Sequence, residues 1–125
     1  VALVASLPVA AISTNILVVN NVRDMETDAE AGKRTLAVRI GYRWSRVQYV
    51  ALLALAYLVP VGLWVVGPAS AAVLFPLLTA PLAVAVARTV CTRTEGEALN
   101  PALERTGKLL AAHALCFAVG LAVGL

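Results

Sequence analysis

Charge is scarce in this chain, and four long stretches have none at all: residues 1–22, 47–66, 69–87 and 109–125. Asp, Glu, Lys and Arg together make up 14% of the 125 residues, against about a quarter in soluble domains. That balance excludes an ordinary water-soluble domain. Each uncharged stretch approaches the roughly 20 apolar residues that a bilayer-crossing helix needs. A single charge at the centre of such a helix costs about 2.5–3.5 kcal/mol on the insertion scale, so spanning helices require this segregation of charge. The 61% hydrophobic content and a mean hydropathy of +0.87 agree.

Other absences narrow the class further. No alternating apolar and polar run marks a strand, no fixed-period repeat stands out, and no low-complexity linker divides the chain. The two cysteines, Cys91 and Cys116, stand in no metal-binding spacing. One falls in a charged window and the other in an apolar stretch, which argues against a disulfide. The chain opens inside an apolar stretch without flanking charge or a cleavage site, unlike a signal peptide. We therefore expect an all-α polytopic transmembrane bundle, one domain portion over residues 1–125 with spans at the four uncharged stretches. It reads as the C-terminal portion of a longer protein, and any site in it as half a site.

All the charge is gathered into two windows, residues 23–46 and 88–108. Residues 67–70, Gly-Pro-Ala-Ser, read as a tight hairpin between the second and third spans, which places both windows on one side of the membrane. Arg23, Lys33, Arg34, Arg39, Arg43 and Arg46 crowd the first; Arg88, Arg93, Arg105 and Lys108 lie in the second. By the positive-inside rule that side is cytoplasmic. The expected location is the inner or plasma membrane, multi-pass, with the charged loops in the cytoplasm and both chain ends opposite.

What is present in the first window is a run of acids, amides and cations: Asn20-Asn21-Val-Arg23-Asp24-Met-Glu26-Thr-Asp28-Ala-Glu30-Ala-Gly32-Lys33-Arg34. If the helix arriving from Val1 continues through it, positions four apart share a face, so Asn20, Asp24 and Asp28 form a ladder with Asn21 beside it. These are all oxygen ligands. Mg2+ favours one or two carboxylates, keeping water and substrate phosphates as its other ligands, and Gly32, Lys33 and Arg34 are placed to receive a diphosphate. The plainer reading is a loop charged for solubility and topology, which Arg23, Glu26 and Glu30 fit. Repulsion between carboxylates four apart costs only roughly 0.2–0.5 kcal/mol, so energetics alone do not demand a metal.

Within the spans the residues read as packing material. Pro8, Pro60, Pro76 and Pro81 remove backbone donors, and neighbours or water must then satisfy the freed carbonyls. Asn100-Pro101 reads as an N-cap followed by proline at the first helical position, starting the final helix before the membrane. Arg88 either snorkels or points toward a diphosphate, and His113 reads as an interhelical hydrogen-bond partner before a catalyst. Tyr42, Trp44 and Trp64 fall at the interfaces, where amphipathic rings anchor a bundle. Tyr49 and Tyr57 either pack there too or face a cavity and stabilise a cation.

The run from Asn20 to Asp28, continued by Ala-Gly-Lys-Arg-Thr-Leu-Ala-Val-Arg-Ile-Gly41, closely resembles the second aspartate-rich motif of the UbiA-type intramembrane prenyltransferases. The twin asparagines and the Lys33–Arg39 run look most like the 1,4-dihydroxy-2-naphthoate polyprenyltransferase branch. Leu99-Asn-Pro-Ala-Leu-Glu-Arg-Thr106 is also similar to that branch's C-terminal region, so the resemblance covers most of the chain.

The resemblance implies a nine-span helical fold with two aspartate-rich motifs facing each other across a cytoplasm-facing cavity, of which this chain supplies the last four spans and one motif. It implies that Asp24 and Asp28 are catalytic and hold Mg2+ with Asn20. Asn20, Asn21, Lys33 and Arg34 would then serve the diphosphate side. The implied reaction moves a polyprenyl group from an allylic diphosphate to 1,4-dihydroxy-2-naphthoate in menaquinone biosynthesis. Expected partners are the prenyl diphosphate, that naphthoate or a related aromatic acceptor, the lipid bilayer and the N-terminal helices of the parent protein; nucleic acid is not among them. Two alternatives stay open: another acceptor, aromatic or phosphate-sugar, and a non-catalytic membrane transport or assembly subunit. A transporter would more readily carry an ionisable residue inside a span, and only His113 does so.

Overall fold

The computed structural model describes residues 2–67, 71–93 and 96–124, with no side-chain detail at positions 2, 4, 73 and 124. The described residues form helices and short connections with no strand. The expected hairpin at 67–70 falls largely on residues 68–70, outside the described part.

The first apolar stretch folds as two pieces, α1 (Ala2–Ala5) and α2 (Leu7–Arg23), separated at Ser6. Pro8 lies in the first turn of α2, where a missing N–H leaves no bond unmade. Valines four apart, Val18 and Val22, together with Val19, form the buried stripe of α2, as a helical period dictates. A one-turn helix, α3 (Met25–Glu30), follows, and then α4 (Leu36–Val65), whose N-cap Thr35 accepts a hydrogen bond from the Val38 amide. Gly41 breaks α4 with φ +79°, a left-handed conformation that glycine adopts without a Cβ penalty.

After α4 the chain runs through a tight 3-10 segment, Ala71–Thr79, into α5 (Ala80–Thr92). Pro76 sits in the 3-10 segment and Pro81 at the start of α5, so of the four intramembrane prolines only Pro60 lies deep in an α-helix. The last helix, α6 (Gly96–Gly124), begins before Asn100 and takes Pro101 into its body. The N-cap expected at Asn100 is therefore overridden: α6 starts four positions earlier, where Gly96 packs closely against the end of α2. A Cβ at Gly96 would lie 3.1 Å from the Arg23 carbonyl oxygen.

Among the described residues, three helices are long and apolar enough to cross a membrane: Leu36–Val65, Leu74–Thr92 and Gly96–Val123. With 17 residues, α2 spans roughly 26 Å. The chain is a helical membrane bundle in which α2 packs on α4 and α6, and α6 packs on the 3-10 segment. Its core runs from Val18, Val19 and Val22 through Tyr49 and Leu53 to Val86, Val90, Leu99 and Leu109.

Polar side chains inside the bundle are spent on tying helices together. Asn15 of α2 donates from Nδ2 to the Tyr49 carbonyl at 3.0 Å. The Tyr49 hydroxyl and Thr106 Oγ1 lie 2.9 Å apart, and Thr106 also donates to its own helix at Ala102. Tyr57 and Thr79 pair at 2.6 Å. Tyr49 is fully buried and bonded, so its ring is committed to packing rather than to a cation.

Pro60 explains His113. A proline cannot donate to the carbonyl four residues earlier, here that of Ala56, and His113 Nε2 lies 2.9 Å from that oxygen. The imidazole supplies the missing donor from α6. Edge-on contacts with Tyr57 at 5.1 Å and Phe117 at 6.0 Å hold the ring. The expectation of an interhelical hydrogen bond at His113 is met.

Candidate functional site

The polar motif occupies the end of α2, the whole of α3 and the turn into α4. Asp24 forms the junction between α2 and α3, with φ −96° and ψ 9°. Helical hydrogen bonding nevertheless continues across it, from the Asp24 amide to the Asn20 carbonyl at 3.1 Å and from the Asp28 amide to the Asp24 carbonyl at 2.7 Å. The i, i+4 register of Asn20, Asp24 and Asp28 is thus kept through the break. At about 100° per residue, the ladder lies across the helix from Val18, Val19, Val22 and Met25, all buried. The apolar stripe seals α2 and α3 onto the bundle and leaves the ladder, half-buried, on another side of the helix.

A Schellman turn ends α3. The Gly32 amide donates to the Ala29 carbonyl at 3.1 Å and the Lys33 amide to the Asp28 carbonyl at 2.8 Å, the two bonds of that motif with a left-handed glycine at its corner. Gly32, at φ +79°, thus has a structural role, and it sets the Lys33 backbone beside Asp28. The side chains of Lys33 and Arg34 are exposed and, among the described residues, make no ion pair or hydrogen bond.

The structure separates the twin asparagines. Asn20 joins the acidic group, whereas Asn21 lines a cavity of about 150 Å³ between α2 and α4 with Thr14, Ser45 and Gln48. The buried Ser45 hydroxyl has no hydrogen-bond partner among the described residues, and this cavity, also lined by Leu17, Val18, Leu36 and Ala37, is large enough for a water beside its few polar groups.

Arg23, which fits a merely solvating role by sequence, is the most connected side chain here. Its Nε donates to Asp24 Oδ1 at 3.0 Å and its Nη2 to Asp24 Oδ2 at 3.2 Å. Nη2 also donates to Asn20 Oδ1 at 2.6 Å, and Nη1 to Asn100 Oδ1 on α6 at 3.2 Å. The hydrogen bond to Asp24 raises the pKa of the guanidinium, against slight desolvation, so the group stays charged.

Arg46 is a second cation whose role its spacing does not reveal. Its Nε and Nη2 donate to the carbonyls of Val90 and Arg93 at 3.0 Å each, satisfying the end of α5 with a cation where the helix dipole favours one. Its guanidinium lies over Tyr42 at 5.4 Å. Arg88 is exposed.

Among the described residues no group of three or more His, Cys, Asp or Glu side chains is placed to share a metal ion. Asp24 and Asp28 are a pair. A hard divalent cation fits such a donor set, because Mg2+ takes one or two carboxylates and fills its shell with water and phosphate oxygens. A carboxylate offers about four lone-pair sites, of which Arg23 engages two on Asp24.

Membrane-embedded helices with Asn20, Asp24 and Asp28 in register at one end, and the exposed cations Lys33 and Arg34 beside them, place the chain among polytopic membrane proteins with a polar site at one end of the bundle. The chain belongs to the UbiA prenyltransferase family, which it matches over residues 1–110. It is 39% identical over 124 residues to a protein of Mycobacterium tuberculosis named 1,4-dihydroxy-2-naphthoate octaprenyltransferase, covering 99% of this chain and 41% of that protein. A Haemophilus influenzae protein of the same name is 33% identical over 90% of this chain and 37% of its own length. Human UbiA prenyltransferase domain-containing protein 1 is 42% identical over 86% of this chain and 30% of that protein. The chain spans about two fifths or less of these relatives.

Proposed function

We propose that this chain forms one wall of the active site of a membrane prenyltransferase that moves a polyprenyl group from an allylic diphosphate to 1,4-dihydroxy-2-naphthoate, in menaquinone biosynthesis. The observation that carries the reading is the Asn20–Asp24–Asp28 register, preserved across the α2–α3 junction and turned away from the core in a UbiA-family chain. Asp24, Asp28 and Asn20 are the residues that would hold Mg2+. When bound, the ion would neutralise charge on the diphosphate as its bond to the allyl carbon lengthens.

Lys33 and Arg34 approach the diphosphate as mobile cations, consistent with their exposed and unpaired side chains. Lys33 enters from a backbone fixed beside Asp28. The naphthoate ring attacks the allylic carbon, and its carboxylate leaves as carbon dioxide. Apolar helices around the site keep water from the cation that forms. The N-terminal helices of the parent protein supply the opposite wall and its second acidic motif, and orientation across two walls is worth several kcal/mol or more in a two-substrate reaction.

The test is an assay of the full-length protein in lipid with labelled polyprenyl diphosphate, Mg2+ and a panel of aromatic acceptors. Prenylation of dihydroxynaphthoate above all others is expected; transfer only to another acceptor, or none to any, would refute the reading. The charged end faces the cytoplasm in this proposal. A cysteine placed at exposed Ala31, in a protein lacking Cys91 and Cys116, is expected to be labelled from that side, and labelling from outside alone would reverse the orientation.

A further inference from the structure

We propose that Arg23 is the positioning residue of the acidic site, and that Asn100, from the opposite end of the sequence, braces it. The inference rests on the metal-binding reading of Asp24 and Asn20 given above. One guanidinium touches both side chains: it grips Asp24 through two nitrogens at 3.0 and 3.2 Å and holds the Asn20 amide oxygen at 2.6 Å. These are two of the three groups in the ladder. Without such a grip each would rotate freely about its side-chain torsions, because neither has another side-chain partner among the described residues.

The planar fork matters more than the charge. Five N–H donors in a rigid plane can meet a carboxylate in bidentate fashion while reaching a third oxygen, which a lysine ammonium on a flexible stem cannot do. The remaining nitrogen is not idle. Nη1 donates to Asn100 Oδ1 on α6 at 3.2 Å, at the place where Gly96 brings α6 against the Arg23 carbonyl. The early start of α6, ahead of the Asn100-Pro101 signal, is what brings Asn100 into reach. The site's geometry therefore depends on a helix 77 residues further along the chain.

Arg23 also sits close to where a divalent cation would bind, so removing its charge would change metal affinity for electrostatic reasons alone. Arg23→Lys keeps the charge and removes the fork, which isolates orientation. The measurement is Mn2+ binding, followed by the spin signal of the free ion, to the full-length protein in lipid nanodiscs without prenyl diphosphate. Arg23→Lys is expected to weaken Mn2+ about 10-fold, the usual scale for groups that orient ligands, and Asn100→Ala about 3-fold, the scale of one neutral acceptor.

Since Asn100 acts through Arg23, the double variant is expected to bind no more weakly than Arg23→Lys alone. Thermal midpoints of all three are expected to match the parent, which a merely structural contact would not allow. Asp24→Ala separates the two readings. Parental affinity in Arg23→Lys, with the site lost in Asp24→Ala, overturns the inference alone. Additive losses from Arg23→Lys and Asn100→Ala overturn the brace. Mn2+ binding untouched by Asp24→Ala overturns the metal reading and this inference with it.

Discussion

Polar residues at the middle of the bundle and polar residues at its charged end obey different rules. In the middle, Asn15, Tyr49, Tyr57, Thr79, Thr106 and His113 each spend a polar atom on a neighbouring helix. An unpaired group there is costly, since lipid offers no replacement partner. At the charged end Arg23 uses four of its five N–H donors, but Asp28, Lys33 and Arg34 have side chains without partners among the described residues. Water solvates such groups cheaply, so they are free to serve a ligand. Polar groups in the middle therefore serve to join helices, though Asn15 Oδ1 and His113 Nδ1 stay unpaired there among the described residues. At the charged end Arg23 holds Asp24 and Asn20, while Asp28, Lys33 and Arg34 stay open to a ligand.

The sharpest test at the charged end is to truncate a ladder residue and, close by in the chain, an exposed acid off the ladder face. Asp24→Ala or Asp28→Ala in the full-length protein is expected to lower turnover by about 100-fold or more, the scale of losing one preorganised electrostatic group. Glu26→Ala, lying off the ladder face and exposed, is expected to leave turnover within about twofold, as for a solvated surface charge. Thermal stability is expected to be unchanged in all three. Equal small effects on turnover would return the motif to a solvated loop.

Much of the difference between the two regions is legible in the sequence. Uncharged stretches mark the bundle, and Asn20, Asp24 and Asp28 announce a shared face through spacing alone. Spacing also survives the break at Asp24, because the backbone hydrogen bonds on either side keep the register. The roles of Arg23 and Asn100 are not legible, since their contact joins residues 77 apart and depends on where α6 starts. Local signals at Asn100-Pro101 point to the wrong start, and close packing of Gly96 on α2 overrides them. The role of His113 was half legible: its type and depth suggest a hydrogen bond, while its partner is a backbone carbonyl that no side-chain pattern reveals. Pro60 is the companion clue: it implies a freed carbonyl that a neighbour must satisfy, but not that His113 is the neighbour.

His113 then gives the smaller test, on the packing side of the comparison. His113→Leu keeps an apolar body of similar size, but leaves the Ala56 oxygen facing no donor and removes the edge contacts with Tyr57 and Phe117. In water such an orphaned carbonyl costs about 1–3 kcal/mol. Within a bilayer the unfolded helices also find partners, and measured interhelical hydrogen bonds average about 0.6 kcal/mol with a maximum near 1.7. A loss of about 1 kcal/mol is therefore expected, read by detergent unfolding of the full-length protein, with turnover per folded molecule unchanged.

The last and smallest effect comes from restoring the donor inside α4. In Pro60→Ala the residue regains an N–H that can bond the Ala56 oxygen within the helix, making His113 redundant. Adding His113→Leu to Pro60→Ala should then cost less than adding it to the parent, by roughly the worth of that one bond, about 0.6 kcal/mol. Independent sites add to within about 0.3–0.5 kcal/mol, so the cycle needs replicate unfolding curves to resolve the coupling. Strict additivity would mean that His113 is held by its aromatic neighbours and that its hydrogen bond to Ala56 is incidental. Coupling of the expected sign would show a proline and a histidine 53 positions apart acting as one unit: the first frees a carbonyl, the second occupies it, and neither takes part in the chemistry at the charged end.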